Sequence, residues 1–354
     1  MAMAVTMIAS MTLPRHAELW LPGYVRSRLR NWASAGPSRV WVAIADHFEP
    51  FWLHPSEGVA RERVAVWVRH WPEIAARHAD AAGKPPRYTF YYPQEEYRPE
   101  FLDALASMNR RGIADVDVHI HHDGEGEQNF VDRMSGFIET LAERHGLLRK
   151  YGGRTVFGFI HGDWALDNSR PDGRFCGLNN EITLLGDLGC YADFTMPSSN
   201  SPTQSRIVNT IYWVTDDPLR PRSFDSGVAV RPGAPGAGDL LMIPGPLGLR
   251  FGERLLPRLE NGEIAYQDLP TAYRIGRWLD LGPRIGPNIF IKLYTHGAKE
   301  PNAKALLIDG GLDRLFRMLP EECRRRGHEL HYVSTWEMRQ AVDAAAMPGD
   351  ILSS

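Results

Sequence analysis

The run HIHHDGEGE at 119–127 gathers three histidines and three acids directly behind an alternating stretch, ADVDV. Imidazole and carboxylate are the usual ligands of a hard or borderline divalent ion. On a strand, His119 and His121 point to one side and His122 to the other. His119 is the strongest single ligand candidate. Either Asp123, past the strand, folds back toward the same ion, or His121 takes that place. Three core histidines on one strand would each need a buried hydrogen-bond partner, so the run reads as metal binding at a strand's mouth.

Partners stand elsewhere in the chain. VAIADHFEP ends an apolar stretch with Asp46 and His47, a base beside a ligand or two ligands, and Glu49 is close enough to anchor a ring nitrogen. In GFIHGDWALDNS, His161 and Asp163 alternate about Gly162, which permits close approach. Trp164 offers a flat face for the C–H surface of a sugar. NIFIKLYTHG ends in His296, and an imidazole with a pKa of about 6.5 suits general acid work. Plainer roles exist for each: solvated strand ends for Asp46 and His47, packing for Trp164, a satisfied structural ring for His296. GxSxG and HExxH are both absent, which counts against serine hydrolases and the commonest zinc peptidases.

Strands and helices must alternate to bring these residues together. Apolar runs predict strands over 39–48, 86–93, 114–122, 155–162, 190–197, 287–297 and 328–334. Helical periods fall between them, over 60–82 with an interruption at Pro72, 99–110, 130–148, 180–189, 305–327 and 335–346. This order predicts an α/β fold with parallel strands. Polar residues cluster at the C-terminal ends of several different strands, which favours a (β/α) barrel over an open sheet with one switch point. Residues 199–285, rich in Pro, Gly and Asn, read as loops, a hairpin or a surface insertion, with apolar runs at RIVNTIYWV and GDLLMIP and a helix near LPTAYRIGRWLDL. The domain reading is an N-terminal extension over 1–35 and one domain over 36–350.

The chain has 354 residues, 43% hydrophobic and 10% aromatic, with a formal charge of -3. That composition supports a substantial core and argues against nucleic acid as the main partner. Three cysteines lack the paired spacing of a thiolate zinc site. The apolar start is too short to span a bilayer and lacks a positive leading region, so no integral membrane segment is expected and the cytoplasm is the default location.

In this order, VAIADHFEP, HIHHD, IHGDW, CYADFTMPS, IFIKLYTHG and HELHYVSTWEMRQAV resemble the polysaccharide deacetylase family, the NodB-like homology domain, from about Val40 to Ala345. The resemblance implies a distorted, seven-stranded (β/α) barrel and a hydrolase that uses a divalent ion, zinc first, to remove N-acetyl groups from a carbohydrate. It further implies Asp46 as base, His296 as acid, and His47, His119 and Asp123 as ligands. His161, Asp163 and Trp164 would then meet the acetylated sugar. A related metal-dependent hydrolase of another C–N or glycosidic bond, and a silent glycan-binding scaffold, are the rival readings.

Overall fold

The structure, a computed structural model, describes residues 13–32, 36–251 and 256–347. The apolar start at 1–12 lies outside the described residues. β1 (Arg39–His47), β2 (Tyr88–Pro93) and β3 (Ala114–Ile120) are followed by the short β4 (Arg149–Tyr151), β5 (Arg154–His161) and β6 (Cys190–Asp193). Then come β7 (Tyr212–Val214), β8 (Val228–Ala229), β9 (Leu240–Met242), and an antiparallel pair of β10 (Gly248–Phe251) with β11 (Pro257–Glu260). β12 (Arg284–Ile285), β13 (Asn288–Thr295) and β14 (Glu329–Tyr332) complete the set.

All but β10 and β11 belong to one 12-stranded sheet, ordered β12-β13-β1-β2-β3-β5-β6-β9-β7-β8, with β14 also on β1 and β4 on β5. The run from β13 to β9 is parallel throughout. The α/β class with parallel strands is therefore as expected. The seven-strand count is not: 199–285, read as loops, a hairpin or a surface insertion, holds the β10–β11 hairpin but also supplies β7, β8, β9 and β12 to the sheet itself. The strands it adds to that sheet are only two or three residues long, too short to show a period. Nor does the strand order form a closed ring, since among the described residues β12 and β8 are not paired with each other.

The sheet nevertheless curls steeply. Lys292 on β13 donates from Nζ to the Phe194 carbonyl, just past β6, at 2.8 Å. Five strand spacings separate β13 from β6 in the sheet order, or about 24 Å if the sheet were flat. A lysine side chain bridges them because the sheet bends round.

Alternation along β3 sorts its side chains. Val116, Val118 and Ile120 join the main apolar cluster under the helices. Asp117 and His119 take the other face, inside the curl, where Tyr191 donates to Asp117 at 2.7 Å and Arg149 pairs with it at 3.2 Å. The helix Glu57–Ala76 runs through Pro72 without the expected interruption. Trp67, Trp71, Ile74 and Ala75 are buried on either side of Pro72, and such packing outweighs a local penalty on propensity. A further helix, Ala17–Trp32, lies in the stretch read as an extension. Its Pro22 and Gly23 weaken the period, but Trp20 packs with Val208 and Leu247.

Candidate metal centre

Register sets the first contacts. Thr295 lies opposite Asp46 in the parallel pair of β13 and β1, so the next residue, His296, falls beside His47. Their rings stack with centroids 4.8 Å apart. Pro93 lies opposite His119 and His119 opposite Ile160, which carries the end of β3 to the same level. The rings of His47 and His119 are 5.3 Å apart, edge to face.

Glu49, His119 and His121 offer donor atoms that lie within 4.8 Å of one another. Glu49 Oε1 is 3.4 Å from His119 Nε2 and 3.3 Å from His121 Nε2. His119 donates from Nδ1 to the Ile160 carbonyl at 2.7 Å, which leaves Nε2 as the free lone pair. That Nε2 is buried with no hydrogen-bond partner, and so is His47 Nε2. Orphaned imidazole nitrogens are costly in a core unless a cation uses them. His121 Nδ1 bonds Glu95, the carboxylate–imidazole support usual behind a metal ligand. Gly162 makes room: a Cβ there would stand 2.3 Å from His121 Cδ2.

The electrostatics couple the acids and imidazoles of the group tightly. Burial pushes the Glu49 carboxyl up, but His119 and His121 outweigh it and hold the group well below the usual carboxylate range. Burial likewise opposes protonation of His121, yet Glu49 and Glu95 raise it to about 10. His47 is held well below the ordinary imidazole value by burial and by His296 and His119. Burial lowers His296 to about 4, with Glu49 opposing and Lys299 reinforcing the shift.

Asp46 stands on the opposite face of β1 from His47. Its carboxylate is fully buried, accepting the Gly297 N–H at 2.6 Å and the Tyr88 hydroxyl at 2.9 Å. Burial raises it to about 8, against the effect of those two donors. Trp67 donates to the Gly297 carbonyl at 2.8 Å. Asp46 thus fixes the turn that carries His296 and does not reach the cleft.

Two hollows flank the centre. One, of about 620 Å³, is lined by Glu49, Trp52, Glu95, His121 and Asp163. The other, of about 600 Å³, is lined by Trp52, Asp163, Trp164, Tyr294, His296 and Lys299. They meet at Trp52 and Asp163. Trp164 stands 6.0 Å ring to ring from both His47 and His296.

Of the expected site residues, His47, His119, His296, Asp163 and Trp164 come together here. Asp123 does not: it is exposed, and its Oδ1 accepts the Phe175 N–H at 2.8 Å. Beyond the strand end its backbone runs away from His119, and Glu49 and His121 occupy that side instead. His161 does not reach the substrate hollows either. It is fully buried and faces His122, because it falls on the helix-covered side of β5. Glu95 was missed; its only sequence signal is a pair of acids just past β2, in PQEEYRP. Among the described residues no helix is long and apolar enough to cross a membrane. No family model and no curated protein matches the chain.

Proposed function

We propose that the chain is a metal-dependent hydrolase that removes N-acetyl groups from a carbohydrate. The observation that carries this reading is the convergence of Glu49, His119 and His121, with orphaned lone pairs on His119 and His47, where Glu49 and His121 line a hollow that adjoins the cleft of Trp164 and His296. Two imidazoles and a carboxylate suit zinc among the divalent ions. The ordered likeness of VAIADHFEP, HIHHD and IFIKLYTHG to the NodB-like family supports the choice of the acetamide bond, and the curl of the sheet agrees with a distorted barrel.

Glu49, His119 and His121 would hold the ion, with His47 facing them from β1. Polarisation of the acetyl carbonyl and acidification of water near neutrality are what a divalent ion contributes in such a site. His296, lowered to about 4, is neutral at pH 7. It therefore accepts the proton of the attacking water and passes it to the amine nitrogen as the C–N bond breaks, giving acetate and a free amino sugar. Asp46 is assigned a positioning role, through Gly297, in place of the base role that the family likeness implies. Trp164 covers one face of the sugar ring while Asp163 and Lys299 meet polar groups at its edge.

The test is acetate release from N-acetylated oligosaccharides by the zinc-loaded protein. Acetate and free amine should form in equal amounts, and His119→Ala and His121→Ala should abolish both while the chain stays folded. Cleavage of the glycan without acetate would transfer the reading to a glycosidic hydrolase. Glycan binding without turnover at any metal loading would make the chain a scaffold.

A further inference from the structure

We propose that His122, His161, Cys176 and Glu181 form a second, buried metal site that takes zinc in a closed, structural coordination. The four side chains are each fully buried or nearly so, and each offers a donor atom within 4.8 Å of all the others. His122 Nε2 is 2.9 Å from His161 Nε2. Glu181 Oε1 lies 3.0 Å from the first and 3.3 Å from the second. The Cys176 sulfur stands 3.4 Å from Glu181 Oε2. One sulfur, two imidazole nitrogens and one carboxylate oxygen make a four-donor set that zinc accepts, with no position left for water.

Supporting contacts are also in place. His161 Nδ1 faces the Gly162 carbonyl at 2.5 Å, which turns Nε2 toward the cluster as a lone pair. His122 Nδ1 has no hydrogen-bond partner and lies 3.5 Å from Glu125 Oε1, while its Nε2 is turned into the cluster, 3.0 Å from Glu181 Oε1. The Cys176 sulfur accepts the N–H groups of Asn168 at 3.2 Å and Leu178 at 3.5 Å, and its thiol donates to Glu181 Oε2 at 3.4 Å. Burial and the Glu181 charge push the thiol up, so a bound cation would have to displace its proton. Glu181 Oε2 accepts the Asp167 N–H at 2.7 Å. Without a cation, two facing imidazole nitrogens crowd one carboxylate oxygen in a space closed to water.

The site's place in the fold gives it a task. His122 follows β3, His161 ends β5, Cys176 sits in the long connection after β5, and Glu181 opens the helix Glu181–Leu188. An ion there pins the 162–180 segment to the sheet. That segment carries Asp163 and Trp164 to the cleft, both with left-handed backbone at φ 52° and 55°. The second site is thus independent of the hydrolase reading, though it holds a wall of the same cleft.

Cobalt(II) alone, titrated into the metal-free full chain, tests this. The wild type should bind two equivalents, one of them giving a thiolate-to-cobalt charge-transfer band in the near ultraviolet. Cys176→Ser should remove that band and one equivalent; His121→Ala should remove the other equivalent and leave the band. Zinc-edge X-ray absorption of the wild type should show sulfur at about 2.3 Å, which settles the matter even where Cys176→Ser fails to fold. Absence of both the band and the sulfur shell in the wild type would overturn the proposal. So would a band that survives Cys176→Ser. Loss of deacetylation with the band intact would reject the hydrolase reading alone.

Discussion

Asp46 and Gly297, 251 residues apart, are joined by a 2.6 Å hydrogen bond from the Gly297 N–H to the Asp46 carboxylate. The bond ties the end of β1 to the turn after β13, and His47 and His296 stack on the far side of it. A carboxylate in the core thereby sets the spacing of two imidazoles in the cleft.

Asp46→Asn keeps a carbonyl oxygen for Gly297 but offers Tyr88 no second acceptor. The His296 turn should shift slightly, and displacement by about 1 Å can cost on the order of 100-fold in rate. The expected result is a fall in kcat with KM and zinc stoichiometry unchanged. A variant with wild-type kcat would show that the turn is held by Trp67 alone.

Glu95 supports His121 from the side away from Glu49. Glu95→Gln keeps its size and removes its charge, so zinc affinity at the Glu49 group should drop about 10- to 100-fold. Competition with a chelator of known affinity measures this. The cobalt–thiolate band should be untouched.

Trp164 has its ring over the space between His47 and His296 and takes no part in proton transfer. Trp164→Ala should raise KM for an oligosaccharide roughly 10-fold, equivalent to about 1.4 kcal/mol of binding, with kcat changed much less. Steady-state kinetics separate the two. An unchanged KM would place the sugar in the Glu95 hollow instead.

Glu260 and Arg274 form a buried ion pair that shapes the far wall of the cleft. Arg274 donates to both Glu260 oxygens, at 3.0 and 2.8 Å, and to the Glu263 carbonyl at 2.6 Å. Burial raises the Glu260 carboxyl, but Arg274 and Trp278 outweigh that and keep it below its ordinary value. Below the unfolded pKa of about 4.3, the unfolded chain holds more protons at this group than the native one. The pair's contribution is therefore full above that pH and is lost as pH falls through the lower folded value. Glu260→Gln should cost about 3–5 kcal/mol at pH 7, and the difference from wild type should shrink below pH 4. Urea unfolding at the two pH values checks the direction; a cost independent of pH would mean that packing, not charge, holds this segment.

Gly162→Ala would press a methyl group into the His121 ring. The same methyl would stand 2.7 Å from the Ile120 carbonyl oxygen, so the end of β3 must shift as well: zinc binding at the Glu49 group should weaken and the melting temperature should fall. Thermal melts with and without zinc should show a smaller metal-induced rise than in the wild type.

The residue pattern by itself determined the strand-and-helix order, because burial on one face or both leaves a periodic record. It also determined that His119 faces inward with Asp117, because the side-chain period of a strand is two. β3 ends at Ile120, so the places of His121 and His122 were set by the turn that follows. The ligand partners were a different matter. Glu49 and Glu95 each follow a different strand, and only the parallel registers of β1, β2 and β3 bring them to His119 and His121. Asp123 looked nearer in sequence, yet the chain turns away after β3. Cys176 and Glu181 carried no spacing signal at all, since their imidazole partners lie 54 and 20 positions back along the chain from them, at His122 and His161. In 199–285 the apolar runs RIVNTIYWV and GDLLMIP do hold β7 and β9, but two or three residues show no period, and their pairing with β6 and with one another exists only once the sheet has curled.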